Sequence, residues 1–337
     1  MMSELDRRGM IGGVVALAAA FTTPAQAKKA RFPYKYGNNL PATHPLNRRA
    51  AEAVEHIQIA TNGELDIRIF PSNQLGGDTA MLDQLRAGAL EFFTPSSLGI
   101  ATLVPVAAIN AMGFAFPNYD AVWSAMDGDL GSFVAAAIEN AGLHMMARVW
   151  DNGFRQITTS ERPVHTPRDL RGIKIRVPVS RMPISLFEAL GATPTGMQFS
   201  EVYTALQTHV VDGQENPLPI IEASKLYEVQ KFASLTNHIW DGFLFVANGE
   251  AWYRLPRDIR TIAEAAFNRS AVAQRADIAV LNSSVRLTLA QRGMLLTQTD
   301  PAPFVATLRE KGFYRSWRKR LGDAAWSRLE KHVGQLG

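Results

Sequence analysis

The chain has 337 residues, of which 47% are hydrophobic and 20% charged, and it contains no cysteine. This composition predicts a globular protein of about two domains, and it excludes disulfide bonds, thiolate metal ligands and a cysteine nucleophile. The formal net charge of +4 comes from scattered residues, and no basic run is interleaved with aromatic residues. The sequence therefore predicts no nucleic-acid partner.

The N-terminus has the three features of a secretory signal. Arg7 and Arg8 precede an apolar run over residues 10–21, and a small-residue cleavage pattern follows at residues 25–27. The pattern predicts a signal peptide over residues 1–27 and export of the mature chain to the periplasm. The paired arginines are also a feature of twin-arginine signals. The apolar run is shorter than the roughly 18 residues of a membrane span. The alternative interpretation of this run is a buried or amphipathic first helix.

The first part of the mature chain alternates between strands and helices. Strands are predicted at 31–37, 64–70 and 89–94, and helices at 43–61 and 79–87. This order predicts a mostly parallel sheet with helices on both of its faces. The loops that follow the strands then lie along one edge of the sheet and carry Asn39 and Gln74 toward a shared crevice.

Helices are predicted at 120–126 and 131–141 and a strand at 143–150. The alternation then starts afresh, with strands predicted at 174–177 and 210–212 and helices at 180–190 and 200–208. The chain enters this second group near Asp151 and leaves it through residues 232–246, and two crossings between two lobes predict a hinge. We expect lobe I to comprise residues 28–151 plus 241–280, and lobe II residues 152–240 plus 281–330.

Residues 257–292 contain neither glycine nor proline. They follow Pro256, which suits the first turn of a helix, and precede Gly293, which suits the end of one. A continuous helix would be about 54 Å long at 1.5 Å per residue, so we expect it to bridge both lobes. A kinked pair of helices is the alternative, because residues 282–284 are poor helix formers.

Three short motifs stand out in the second half: WDNGFRQITTS, GIKIRVPVS and VVDGQENP. In the second motif, alternation sends Lys174 and Arg176 to the face opposite the apolar side chains. Arg176 precedes Pro178, which stops the strand, and this places the arginine at the carboxyl edge of a sheet, where open α/β folds bind ligands. The planar guanidinium matches a carboxylate with two parallel hydrogen bonds. Taken singly, such an arginine is more often solvated or paired within the protein.

The motifs supply further candidate ligand-binding residues. Arg155 opens the strand of the first motif, and the third motif contains Gln214 and Asn216. Phe93 and Trp150 fall near predicted strand ends, where they would give the pocket an apolar wall. For each of these aromatic residues taken alone, burial in the core is the commoner outcome.

The sequence contains no recognisable catalytic or metal-binding motif. The seven histidines show no metal-binding spacing, and there is no nucleophile elbow, phosphate-binding loop or dinucleotide-binding fingerprint. His238 is interpreted as structural, because no nucleophile or partner carboxylate is specified nearby. We therefore predict a protein that is not an enzyme and that needs no cofactor or metal.

The runs TPRDLRGIKIRVP, ALGATPTGMQFSEVYTALQTHVVDGQENP and KLYEVQKFASLTNH resemble the C4-dicarboxylate-binding type of solute-binding protein from tripartite ATP-independent periplasmic (TRAP) transporters. The resemblance extends from about Tyr34 to about Trp317. It implies an α/β, two-lobed fold of the periplasmic-binding-protein type (class II), which closes on an organic acid and delivers it to a small and a large membrane subunit for secondary active uptake. It also implies that Arg176 binds the carboxylate and that Arg155 and Asn216 assist.

The ligand is the least specified part of this interpretation. The predicted aromatic residues favour a monocarboxylate with an aromatic body, or a 2-oxo or 2-hydroxy acid, over the alternatives of a C4-dicarboxylate or a sugar acid. Two other classes stay open: an enzyme on a two-lobed scaffold, and a receptor for an ATP-driven transporter or a sensor. We expect a monomer.

Overall fold

The computed structural model describes residues 30–337. The predicted signal peptide over residues 1–27 therefore lies outside the described residues. Within the described part of the chain, no helix is both long enough and apolar enough to cross a membrane.

The described chain alternates strands and helices along most of its length. The strands are β1 (Phe32–Gly37), β2 (Leu65–Phe70), β3 (Phe92–Phe93), β4 (Leu143–Met145), β5 (Trp150–Thr159), β6 (Lys174–Val177), β7 (Thr193–Gly196), β8 (Gly213–Pro217), β9 (Phe232–Phe243), β10 (Val246–Asn248) and β11 (Leu295–Gln298). The helices are α1 (Pro45–Ala60), α2 (Asp78–Arg86), α3 (Ser97–Ile100), α4 (Tyr119–Met126), α5 (Asp129–Asn140), α6 (Arg181–Ala189), α7 (Val202–Gln207), α8 (Leu218–Ala223), α9 (Gly249–Arg254), α10 (Arg257–Gln291), α11 (Ala302–Glu310), α12 (Phe313–Leu321) and α13 (Asp323–Val333). Short 3-10 helices lie at Pro105–Ala111, Pro167–Leu170, Phe199–Glu201 and Leu226–Glu228.

Two sheets organise the described residues, and we name a lobe after each. The sheet of lobe I has the strand order β2-β1-β3-β10-β4, and the sheet of lobe II has the order β11-β9-β5-β8-β6-β7. Helices cover both sheets, so the predicted two-lobed α/β fold is confirmed. Both sheets are mixed: β1 is parallel to β2 and β3, and β6 is parallel to β7 and β8, whereas β10 and β5 run antiparallel to their neighbours.

The chain crosses between the sheets through two short connections, and a third time through helix α10, which leads from lobe I to β11 of lobe II. It passes from β4 of lobe I to β5 of lobe II through residues 146–149, and it returns from β9 to β10 through residues 244–245. Strands β5 and β9 pair antiparallel over most of their length, which explains why lobe II is less parallel than the sequence pattern predicts. The predicted single strand at 143–150 is wrong, because this crossing divides it between β4 and β5.

The prediction of a strand at residues 210–212 is also wrong. The strand is β8, Gly213–Pro217, which pairs with β5 and β6. His209 and the two valines after it instead form the turn that follows α7, where His209 has φ 57°. As a result Asn216 lies within a strand, beside Arg155 on the next strand.

Helix α10 is one continuous helix of 35 residues. Its first half packs into the lobe I core through Phe267 and Ala271, and its second half packs into the lobe II core through Val285 and Leu289. At its centre, the side-chain amide of Gln274 donates to the carbonyl oxygen of Asp151 and accepts from its N–H, both at 2.8 Å. The predicted brace between the lobes is confirmed, and it is attached where β5 begins.

Candidate ligand-binding cleft

A cleft of about 660 Å³, counting its mouth, lies between the two lobes. Lobe I contributes Asn39 from the end of β1, Asp78 from the first turn of α2 and Phe93 from β3. Lobe II contributes Arg155, Arg176 and Asn216, together with the segment at Met197 and Gln198 that follows β7. Both lobes thus place polar side chains around one space.

Arg176 is a buried cation without a carboxylate partner. Its side chain is 2% exposed, and its Nε and Nη2 atoms both donate to the carbonyl oxygen of Met197, at 3.0 and 2.6 Å. Among the described residues, no carboxylate lies within ion-pair distance of it and no partner reaches Nη1. Burial lowers the pKa of Arg176 to about 10, so the guanidinium remains charged at neutral pH and can pair with an anion in the cleft.

Arg155, by contrast, already has carboxylate partners. Its Nε and Nη2 atoms form a two-pronged bond with the carboxylate of Glu215, and its Nη1 atom lies 3.3 Å from Oδ2 of Asp241. Nη2 also donates to the side-chain oxygen of Asn216, at 3.1 Å. Arg155 lines the cleft, but its charge is offset by neighbours within the protein.

The two carboxylates beside Arg155 respond differently to burial. Burial raises the pKa of Glu215, but Arg155 and then His238 outweigh this effect and hold it at about 2. Burial raises the pKa of Asp241, and Arg155 and the hydroxyl of Ser97 only partly oppose that rise. His238, which lies 3.1 Å from Glu215, has a pKa lowered by burial. His238 thus has a buried carboxylate partner that the sequence did not specify, and its structural role stays a prediction.

Both walls of the cleft present groups that accept hydrogen bonds: Asn39 and Asp78 lie in lobe I, and Asn152 lies in β5 of lobe II. The amide nitrogen of Asn39 donates to both carboxylate oxygens of Asp78, at 3.0 and 2.9 Å. Burial raises the pKa of Asp78, while Asn39 and Arg176 oppose that rise. Within residues 30–337, no partner reaches the side-chain oxygen of Asn39 or that of Asn152, which lies in the cleft and donates to Asp241. Oxygens of this kind suit a ligand that carries hydroxyl groups.

The adjacent phenylalanines of β3 point in opposite directions. Phe93 lines the cleft, whereas the ring of Phe92 lies in the core of lobe I among Tyr34, Phe245 and Phe267. Alternation along a strand predicts such a division. Phe199 and Phe243 also line the cleft, so one part of the wall is apolar.

The structure brings five of the eight predicted site residues to the cleft: Arg176, Arg155, Asn216, Asn39 and Phe93. It does not bring the other three there.

Each of the other three predicted residues lies elsewhere. Trp150 is 0% exposed and stacks on Phe245 in the core, because the strand end that carries it faces helix α10 rather than the cleft. Gln74 lies in the exposed turn after β2. Gln214 is buried behind Asn216, from which its side-chain oxygen accepts a hydrogen bond.

The polar residues that line the cleft but were not among the predicted site residues include Asp78, Ser96, Asn152 and Gln198. Asp78 directly precedes the predicted helix at 79–87, and Asn152 follows the predicted strand at 143–150. A signal for both did exist, since each lies just after a predicted strand or loop at the ligand edge of its sheet. Ser96 has the same signal, since it follows the predicted strand at 89–94, whereas Gln198 has no comparable local signal.

The fold and the cleft define a two-lobed receptor for a small solute. A family model described as bacterial extracellular solute-binding protein, family 7, matches residues 36–313. The chain belongs to this family, the TRAP solute-binding proteins.

Named relatives agree with this assignment. The chain is 37% identical over 235 residues to the 2,3-diketo-L-gulonate-binding periplasmic protein YiaO of Escherichia coli, and the aligned region covers 70% of each protein. It is 35% identical over 269 residues to the C4-dicarboxylate-binding periplasmic protein DctP of Rhodobacter capsulatus, which covers 79% of this chain and 80% of that protein. A longer uncharacterized protein of Sinorhizobium fredii is 36% identical over 79% of this chain and 49% of its own length.

A solved structure agrees over nearly the whole fold. A TRAP periplasmic solute-binding protein from Polaromonas sp. JS666, bound to D-erythronate, superposes with a TM-score of 0.85 at 27% identity, which covers 90% of this chain and 98% of that one. The relatives with a stated function are solute-binding proteins, so the chain is a receptor for organic acids and not an enzyme. The family is extracytoplasmic, as the export prediction requires; the twin-arginine route stays a prediction.

Proposed function

We propose that this protein captures a monocarboxylate bearing hydroxyl groups, in particular a 2-hydroxy acid, and presents it to the membrane subunits of a TRAP transporter. In this proposal Arg176 binds the carboxylate, while Asp78, Asn39 and Asn152 accept hydrogen bonds from the hydroxyl groups. The observation that carries the proposal is the charge on Arg176, which is buried in the cleft without a carboxylate partner among the described residues.

The arrangement of charges favours one carboxylate over two. A dicarboxylate needs a second cation at the far end of the cleft, and Arg155 is already engaged by Glu215 and Asp241. Opposite Arg176, lobe I instead presents the carboxylate of Asp78. A second ligand carboxylate there would meet a like charge in a poorly hydrated site.

The acceptor oxygens of Asn39 in lobe I and Asn152 in lobe II favour a ligand with hydroxyl groups. Buried acceptors without a donor are costly, so a ligand that supplies O–H groups to Asn39 and Asn152 gains binding energy that an unsubstituted acid does not. Two similar solved structures hold acids of this kind, D-erythronate and galactonate, whereas another holds succinate and the relative DctP is named for C4-dicarboxylates. D-Erythronate and galactonate are both hydroxylated monocarboxylates.

An aryl 2-hydroxy acid is the second candidate. Phe93, Phe199 and Phe243 line the cleft and would accommodate an aromatic body. The sequence-based preference for such a ligand also used Trp150, which lies in the core. This candidate therefore rests on fewer aromatic residues than the sequence suggests.

A thermal-shift panel tests the proposal. Ligand at a hundredfold excess over its dissociation constant adds about 2.7 kcal/mol to the free energy of unfolding. We expect D-erythronate, D-galactonate or 2,3-diketo-L-gulonate to raise the melting temperature, mandelate to do so if the aryl candidate is right, and succinate to leave it unchanged. A rise with succinate or malate alone would contradict the proposal. Mass spectrometry of the acid that co-purifies with the protein would identify the physiological ligand.

Several further properties stay predictions. These are the division of the chain into residues 28–151 plus 241–280 and residues 152–240 plus 281–330, the monomeric state, and the absence of a nucleic-acid partner. Size-exclusion chromatography with light scattering would test the monomer.

A further inference from the structure

A hydrogen bond joins the two lobes across the mouth of the cleft. The side-chain amide of Gln198 donates to the hydroxyl of Thr79, with Nε2 and Oγ1 2.5 Å apart. Gln198 follows β7 in lobe II, and Thr79 lies in the first turn of α2 in lobe I. Both side chains line the cleft, so this bond can form only while the lobes are close together.

The lobe I surface is shaped to receive the glutamine. A Cβ atom added at Gly77 would lie 3.2 Å from Oε1 of Gln198 and 3.5 Å from its Cδ. Gly77 has φ −67° and ψ 170°, an extended conformation that any residue adopts. The glycine therefore leaves room for the Gln198 side chain and is not required by the backbone.

The same segment of lobe II is attached to the carboxylate-binding arginine. The carbonyl oxygen of Met197 accepts both hydrogen bonds of Arg176, and the N–H of Met197 donates to the carbonyl oxygen of Val177, at 3.0 Å. The N–H of Gln198 in turn donates to the carboxylate of Glu201, at 3.1 Å. Gln198 is thus held in place by its own backbone, one residue away from the group that positions Arg176.

We propose that Gln198 and Thr79 form a latch that stabilises the closed form of the receptor and prolongs the residence of the ligand. Met197 couples the latch to the carboxylate site, because a ligand that fixes Arg176 also fixes the segment that carries Gln198. On the lobe I side, Thr79 directly follows Asp78, so both ends of the latch adjoin groups that face the ligand. The coupling rests on the proposed function; the effect of the latch on closure does not.

The first experiment needs no ligand. The chain contains no cysteine, so the exposed residues Asp83 and Thr204 can be changed to cysteine and spin-labelled, one on each lobe. Pulsed electron resonance then measures the distance between the lobes. We expect Gln198→Ala and Thr79→Val to lower the ratio of closed to open protein by about threefold to tenfold, the range for loss of one neutral hydrogen bond.

Matched variants separate the latch from other effects. Thr79→Ser keeps the hydroxyl and should retain the wild-type ratio. So should Gln207→Ala, at an exposed position of lobe II, the lobe that carries Gln198. The double variant Gln198→Ala with Thr79→Val should be no more open than either single variant, because the two residues act through one contact. Identical distance distributions for wild type and Gln198→Ala, or fully additive effects in the double variant, would overturn the proposal.

A second measurement uses D-galactonate as the probe. Stopped-flow binding should show that Gln198→Ala raises the dissociation rate about threefold to tenfold and leaves the association rate nearly unchanged. Absence of D-galactonate binding by the wild type would count against the proposed ligand, while the distance measurement would still decide whether the latch exists. An unchanged dissociation rate in a variant that binds D-galactonate would refute the role in residence time.

Discussion

At the scale of single residues, Arg176 combines burial with an incomplete set of partners. A buried charge without a counter-ion costs free energy in the empty receptor, and an anionic ligand removes that cost on binding. The carbonyl of Met197 offers a partial dipole in place of a full charge. This is the arrangement expected of a site selected for binding at some expense of stability.

Substitution of Arg176 should therefore separate binding from stability. Each charge-assisted hydrogen bond contributes about 1.5 to 3 kcal/mol, so Arg176→Met should weaken ligand binding by hundreds of times or more. The free energy of unfolding of the ligand-free variant should stay at or above the wild-type value. Arg176→Lys keeps the charge but lacks the planar guanidinium that donates two parallel hydrogen bonds, so it should give an intermediate affinity. Calorimetry that showed wild-type affinity for the lysine variant would exclude two-pronged binding.

Asp151 provides a residue-scale prediction about pH. It is 2% exposed at the crossing between the lobes, and burial raises its pKa to about 7, although Trp240, Tyr119 and Arg275 oppose the rise. The N–H of the Trp240 ring donates to its carboxylate, at 3.0 Å. Because the unfolded chain releases this proton near pH 4, the folded state binds more protons between pH 4 and 7, and the contribution of Asp151 to stability falls as the pH rises through that window.

The variant Asp151→Asn should lose this dependence, since an amide keeps the acceptor for Trp240 without the charge. Relative to the variant, the wild type should lose about 2 kcal/mol of unfolding free energy between pH 5 and pH 8, from the size of the pKa shift. Urea denaturation of both proteins at the two pH values measures the difference. A constant gap between the two proteins would mean that Asp151 has an ordinary pKa.

At the scale of secondary-structure elements, helix α10 is attached to the start of β5 by the side chain of Gln274, beside the bonds of Asn268 and Arg275 to the crossing backbone. Gln274 satisfies the buried N–H and carbonyl groups of Asp151. Gln274→Met keeps the length of the side chain but leaves both groups without a partner, so it should lower the free energy of unfolding by about 1 to 3 kcal/mol. Gln291→Met, at the exposed end of the same helix, is the matched control. Equal stability of the two variants in chemical denaturation would contradict this role.

The elements that the sequence predicts well are those with strong local signals. Helix α10 is confirmed because its bounds carry proline and glycine and its interior has neither. Strand β6 is confirmed because Lys174 and Arg176 alternate with apolar residues. The sequence pattern misplaces strand β8 because its residues, GQENP, are polar although every one of them is buried. Its burial results from pairing with β5 and β6, which no local pattern encodes.

The residues of the cleft divide in the same way, into those with a local sequence signal and those whose position depends on long-range contacts. Arg176, Arg155 and Asn216 could be predicted from their motifs, and Asn39 from its place after a parallel strand. Sequence alone could not show that Arg155 is already paired, because Asp241 lies 86 residues away along the chain. Nor could it show that Trp150 turns into the core, which depends on the packing of α10 against β5. The choice between one and two ligand carboxylates rests on these long-range contacts.

At the scale of the whole molecule, the ligand site is divided between lobes that meet through two crossings and one brace. Arg176 and Asn216 belong to lobe II, and Asn39 and Asp78 belong to lobe I. A ligand shifts an equilibrium between open and closed forms only by the difference in its affinity for the two forms. A ligand that reaches both walls binds the closed form better, whereas a ligand held by one lobe does not distinguish them.

We therefore expect small-angle scattering to show a smaller radius of gyration when the receptor is saturated with an acid that stabilises it in the thermal-shift panel. The reason is geometric, since simultaneous contact with Arg176 and Asp78 requires the lobes to approach about the crossings at residues 146–149 and 244–245. Arg176→Met at the same concentration of acid should keep the radius of its ligand-free form, because the ligand then lacks its contact with lobe II. An unchanged scattering curve for saturated wild type would show that the ligand engages one lobe only, and the proposed hydrogen bonds from the ligand to Asn39 and Asp78 would then be wrong.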